Sequence, residues 1–378
     1  MGKIELDHTG SGGGVTLSSD GTDLLLDGTA IGGGGAALEL YAENPSSPTA
    51  PSATGTNAVA IGSESVSAGL RSIAVGKSRA GGDDSFAAAI GNSTSSYGVK
   101  DVADRAVSIG SFSDARAVEA VAIGREASAQ GLKSASLGYR SFSIGVQSVA
   151  AGQSYAGGSN SFAAAIVNNT SSYGATASNS VAIGYQAKAN VAYGTAIGYG
   201  NIAGSYATAI GGTYNSATGQ ASFATGENTS AVQRGKIAFG ASQSGVLQQG
   251  GILVLRKFTS DATPTALYAG GSTVGANQVI LPNNSAYAFH GTIVAREQAS
   301  AGTDCAAWKV EGLIRREGSA GTTVLVNSAT TVLDNTPSWG LALSADTTNG
   351  GLKVEATGAA ATNIRWVATI HTSEVTYA

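Results

Sequence analysis

Asn179-Ser180-Val181-Ala182-Ile183-Gly184 decides the fold, because it does not occur only once. Its core, Ala-Ile-Gly or a close variant, returns with a spacing near 14 residues. It stands at Ala60-Ile61-Gly62, Ala74-Val75-Gly76, Ala89-Ile90-Gly91, Ser108-Ile109-Gly110, Ala122-Ile123-Gly124 and Ser136-Leu137-Gly138. After Gly184 it recurs at Ala196-Ile197-Gly198, Ala209-Ile210-Gly211 and Ala238-Phe239-Gly240. A fixed period of this length is the mark of a repeat architecture. Gly124, Gly131, Gly138, Gly145 and Gly152 fall at every seventh position, so each unit divides into two similar halves, each a short strand and a tight turn. Glycine is expected to make those turns, since it adopts positive φ without steric cost. The predicted object is a rod of stacked coils, and at about 4.8 Å per coil the repeat region would span roughly 60 Å.

Within one coil, strand alternation puts Val181 and Ile183 on one face and Ala182 on the other. Stacking in register turns each position into a column. One face fills the narrow interior and the other meets something else. Two short strands per coil are too thin to satisfy both faces alone, so identical rolls are expected to pack around one axis. The columns expected to form the roll core and the shared seam hold Val59, Ile61, Ile90, Ile109, Val121, Ile123, Val181, Ile183, Ile197 and Ile210.

Outward from the repeat, residues 1–43 read as short alternating runs with hairpin punctuation, as in Val15-Thr16-Leu17, Ser19-Asp20-Gly21 and Leu24-Leu25-Leu26. Residues 44–56 hold Pro45, Pro48 and Pro51 and read as a linker. No proline then occurs until Pro264, which suits a repeat region at 57–249 whose amides are committed to neighbouring strands. A longer duplication is superimposed: Ser85-Phe86-Ala87-Ala88-Ala89-Ile90-Gly91 returns 76 residues later as Ser161-Phe162-Ala163-Ala164-Ala165-Ile166-Val167. Val167 replaces the expected Gly, and a β-branched residue resists positive φ, so that turn is expected to be built differently. The intervals after Gly91 and Val167 are stretched, and the surplus near residues 92–105 and 168–179 should bulge as loops carrying Tyr97 and Tyr173. These two rings are the candidate surface contacts, against the plainer reading that each covers its own loop. Residues 250–378 carry longer alternating strands and all three tryptophans, and read as an antiparallel β-sandwich. The fold class is therefore all-β: a parallel β-roll followed by a sandwich.

Composition narrows the function. Only 12% of residues are charged and the net charge is −4, which argues against a nucleic-acid partner. No apolar run is long enough for a membrane helix, so no membrane insertion is expected. The N-terminal Met1-Gly2-Lys3-Ile4-Glu5-Leu6 lacks the pattern of a secretory signal. His8, His290 and His371 lie far apart in sequence, without metal spacing. Asp83-Asp84 and Asp101 with Asp104 are the nearest thing to paired carboxylates and read as solvated loop residues. Cys305 reads as a small buried apolar residue. No catalytic residue, metal or cofactor is expected, and the chain is read as a non-enzyme.

Asn179-Ser180-Val181-Ala182-Ile183-Gly184 and Asn57-Ala58-Val59-Ala60-Ile61-Gly62 resemble the repeat of YadA-like heads in trimeric autotransporter adhesins. The resemblance covers residues 57–249, about half the chain. It implies a left-handed parallel β-roll, a homotrimer and binding to a host surface. The remainder departs from a bacterial adhesin, with no heptad stalk or terminal membrane-barrel strand. A roll between a leading segment and a terminal sandwich is instead similar to tailed-bacteriophage fibres. That resemblance implies a virion protein assembled in the host cytoplasm. Its expected partners are other virion proteins, through residues 1–43, and a host-surface glycan or protein receptor. The alternatives are an architectural head or neck decoration fibre, a polysaccharide-cleaving tailspike, and a fragment of a bacterial surface adhesin.

Overall fold

The computed structural model describes residues 49–91, 96–167, 172–242, 246–271, 273–298 and 303–377, together with the backbone of five short strands before residue 49. The chain forms two compact units, residues 1–112 and 113–378.

In the first unit, strands Ile4–Leu6, Val15–Ser19, Leu24–Leu26 and Thr29–Ile31 make an antiparallel meander, with Leu17 opposite Leu26. The roll then begins earlier than residue 57. Glu39–Leu40 pairs in parallel with Val59–Ile61, and Ser52–Ala53 pairs with Val66–Ser67. Thus part of the expected leading segment and part of the expected linker already belong to coils. A two-residue strand needs few hydrogen bonds, such as Ser52 N to Ser65 O at 2.8 Å, and Pro51 lies just ahead of it without interrupting them. The three-residue strands Val59–Ile61, Ile73–Val75, Phe86–Ala88 and Val107–Ile109 stack in parallel register.

Among the described residues the second unit repeats the plan with nine stacked strands, from Val121–Ile123 to Ile237–Ala241, the first five of three residues and the last four of five or six. The coils add two-residue strands on the opposite wall, such as Ser128–Ala129 and Lys188–Ala189, up to Ser216–Ala217. Every central residue points inward: Ala122, Ser136, Ala150, Ala163, Ala182, Ala196, Ala209, Ala224 and Ala238 are fully buried. At this central position the walls stand so close that only Ala or Ser occurs. Serines line the turns, and their hydroxyls donate to the carbonyl three residues back, as from Ser148 Oγ to Gly145 O at 2.7 Å and Ser161 Oγ to Gly158 O at 2.6 Å. The interior therefore contributes little apolar area, and the roll rests on its hydrogen-bonded ladders.

Glycine has two jobs here, of which the sequence suggests one. Gly138 and Gly152 do take positive φ (98° and 70°). Gly131 and Gly145 do not; the left-handed residues are Glu126, Lys133, Arg140 and Gln147, again at a spacing of seven. Gly131 and Gly145 are required by close stacking, since a Cβ on either would lie about 2 Å from a carbonyl oxygen of the next coil. Val167 also corrects expectation. It takes φ 58°, like Gly91 at 73°, so the turn is the same turn under strain. The loops expected after residues 91 and 167 lie partly outside the described residues.

The last roll strand, Ile237–Ala241, turns back antiparallel against Gln248–Thr259. The roll wall thus runs into a long antiparallel sheet, and strand Gln248–Thr259 crosses the expected boundary at 249. The sheet continues through Ile364–Thr376, Ser285–Glu297, Cys305–Arg316 and Val324–Asp334. A smaller sheet of Thr265–Ala266, Val279–Ile280, Gly340–Asp346 and Gly351–Thr357 lies on one face. Between them is one apolar core containing Leu253, Leu255, Ile293, Trp308, Trp366 and Val354. Trp308 stacks on Trp366 at 5.5 Å, and Trp366 Nε1 donates to Thr259 Oγ1 at 2.9 Å. Cys305 is exposed, contrary to the buried position expected, because it opens its strand on the outward phase of the alternation, next to the buried Ala306.

Candidate functional site

Two surfaces of the roll stand out, and both arise from the period. The first flanks the alanine column. In the second unit Val121 pairs with Ala135, Ile123 with Leu137, Val181 with Thr195 and Ile183 with Ile197, all parallel and in register. Ile197 continues to Ile210. These side chains point outward. Ile123, Leu137, Phe162, Ile237 and Phe239 are between 37% and 45% exposed. Val59, Ile61 and Ile109 occupy the same places in the first unit. Ile90 does not: it lies just past strand Phe86–Ala88 and is fully buried inside the coil, its amide donating to Ser78 Oγ at 3.2 Å. Ile166 does the same toward Ser154 Oγ, also at 3.2 Å, so the duplicated blocks share one geometry.

The second surface is aromatic. Tyr185 stacks nearly parallel on Tyr199 at 4.8 Å, and Tyr199 meets Tyr214 edge-on at 5.1 Å. A separate pair, Tyr193 and Tyr206, stacks at 4.6 Å. The distances are the spacing of adjacent strands, so the coil repeat sets the stack. All five rings are exposed. The spacing of Tyr185 and Tyr199, 14 residues, was the available signal. Tyr97 and Tyr173 are instead half-buried: Tyr97 packs edge-on against Phe112 at 5.1 Å, and Tyr173 packs on buried alanines.

Charged side chains also follow the period. Arg140 Nε donates to Glu126 at 2.6 Å, and Arg71 forms a two-point pair with Asp84 at 2.6 and 2.8 Å. The Arg71 hydrogen bonds hold Asp84 below the ordinary carboxylate range. Asp83 accepts from Leu70 N at 2.8 Å, Asp104 accepts from Asp83 N at 3.1 Å, and Asp101 pairs with Arg79. These carboxylates tie coil to coil. His290 and His371, distant in sequence, are brought opposite one another across strands and stack at 5.1 Å.

Where roll meets terminal sheet, a buried ion pair forms. Lys236 Nζ lies 2.6 Å from Glu374, whose carboxylate also accepts from Gln249 Nε2 at 2.7 Å and Thr372 Oγ1 at 2.6 Å. Burial draws the Lys236 ammonium below its ordinary value, against the opposing pull of Glu374. Burial, and then the Glu374 carboxylate, raise the neighbouring Tyr287 phenol well above its own. Gln249 further clasps the roll by exchanging hydrogen bonds with the Ser230 backbone at 2.7 and 2.8 Å.

A parallel roll of Ala-centred coils with outward aliphatic columns defines the class. Within it, the family described as the YadA head domain repeat (2 copies) matches residues 53–78, 115–141 and 175–201, so the chain carries YadA head repeats. No curated protein matches the chain. Among solved structures it is similar to the tailspike protein gp49 of Acinetobacter baumannii bacteriophage Fri1, a capsular polysaccharide depolymerase. That match has 8% identity and covers 85% of this chain and 65% of that one, with a TM-score of 0.22. It is also similar to the tailspike protein of Acinetobacter phage vB_ApiP_P1, at 10% identity, with 82% and 63% coverage and a TM-score of 0.18. The chain thus spans just under two thirds of the length of each, and TM-scores this low do not establish a shared fold.

Proposed function

We propose that this chain is a homotrimeric fibre of a phage virion that attaches the particle to its host's surface. The observation that carries the reading is the in-register column of aliphatic side chains left half exposed by the YadA head coils. The inward central position of each roll strand is already held by a buried Ala or Ser, so the outward column is available to copies of the same chain. Covering it contributes about 25 cal/mol per Å² of apolar area, summed over every coil. Three copies also triple each weak surface contact, which is how a shallow aromatic surface gains useful affinity.

In this reading the roll is a spacer, its exposed tyrosines and the terminal sheets meet a surface glycan or protein receptor, and residues 1–43 join other virion proteins. The role is binding rather than catalysis. The test has two arms. The intact protein is applied to an array of bacterial surface polysaccharides, and the same polysaccharides are incubated with it and assayed for new reducing ends. Retention without cleavage supports the reading. Release of reducing ends replaces it with a depolymerase, and silence in both arms favours a decoration fibre.

A further inference from the structure

A cavity of about 640 Å³ opens beside the Lys236–Glu374 pair, between the last coils of the roll and the terminal sheets. Tyr214, the end of the exposed tyrosine row, lines its mouth. Val232, Leu247, Leu281 and Pro282 form apolar walls. Gln233 also lines it, is 6% exposed, and is fixed in orientation because its Nε2 donates to Ile280 O at 2.7 Å. Its Oε1 is therefore the acceptor, and among the described residues it has no partner. A buried acceptor without a donor is costly, and the cost is removed by a ligand that brings an N–H or O–H.

We propose that this cavity binds an acetamido sugar, a 2-acetamido-2-deoxyhexose unit of a surface polysaccharide. The amide N–H satisfies Gln233 Oε1. The acetyl methyl lies against the apolar walls, and the sugar's C–H face lies on Tyr214. A plain hexose offers a hydroxyl but no methyl. The size lies in the range of small-ligand sites. The assignment rests on the host-attachment reading for its biological source, though the cavity chemistry stands without it.

The test uses the full-length protein and saturation-transfer NMR with methyl 2-acetamido-2-deoxyglucopyranoside and its galacto epimer. Methyl hexopyranosides without the acetamido group are the controls. Transfer is expected to concentrate on the acetyl methyl, with the plain hexosides at least about tenfold weaker. Val232→Trp, which fills the cavity from an exposed position, and Tyr214→Ala should each lower affinity at least about tenfold. Both positions are exposed, and unchanged thermal unfolding establishes that the variants fold. Absence of transfer from both acetamido sugars, or transfer that persists in Val232→Trp, overturns the proposal. If polysaccharide retention on the array survives Val232→Trp, the cavity assignment fails while host attachment stands. If the sugars bind but the array is silent, the cavity stands and host attachment fails.

Discussion

At the scale of single residues, the roll separates two demands that glycine meets. Gly145 has ordinary φ but no room, since a Cβ would sit 1.9 Å from Gly158 O. Gly152 has room, with nothing nearer than 4.0 Å, but φ of +70°. Gly145→Ala is accordingly expected to cost about 3 kcal/mol through forced separation of coils, and Gly152→Ala about 1 kcal/mol through backbone strain. Thermal unfolding of the two variants side by side checks the order. Val167 offers the converse: Val167→Gly should raise the melting temperature, by up to about 1 kcal/mol of stability, because its side chain is exposed and its φ is unfavourable. A melting temperature that falls would contradict the strain. The seven-residue glycine spacing was legible, but its cause was not. Spacing reports that a small residue is needed and is silent on whether sterics or φ makes the demand.

Among elements, the parallel coils were legible because identical positions recur, and the terminal sheets because alternation is long and turn-bounded. The continuity between them was not. The hairpin joining Ile237–Ala241 to Gln248–Thr259 is set by tertiary pairing, and the ion pair beneath it joins residues 138 apart. That pair makes the junction sensitive to one-sided change. Lys236→Met should destabilise the protein by about 3–5 kcal/mol, because it leaves the Glu374 carboxylate buried without its cation. Adding Glu374→Gln should recover more than half of the loss, since the amide needs no counter-charge; chemical denaturation of single and double variants measures it. Failure of the second change to recover stability would show that packing, not charge, holds the junction. The tyrosine row was legible in principle from its period, whereas Tyr97 and Tyr173 drew attention by their place in long intervals. Those rings pack onto neighbours, so an interval flags an irregular coil and not a displayed side chain.

For the whole molecule, assembly depends on what covers the aliphatic columns. Inward and outward faces were predictable as alternation, yet which face lay inside required the coil's width, and only the structure supplies the fully buried alanines. Ile90 shows the limit of motif matching: the tripeptide was present, but the strand ended two residues earlier and turned the isoleucine inward. If three chains share the seam, Ile183→Asp places three carboxylates in one apolar column and should leave a monomer at micromolar concentration, since each buried charge costs several kcal/mol. The most direct measurement is sedimentation equilibrium of the unmodified protein. A homotrimer gives a mass three times the 37.2 kDa of one chain, held on dilution. A folded species of 37.2 kDa, with native circular dichroism at the same dilution, would contradict it.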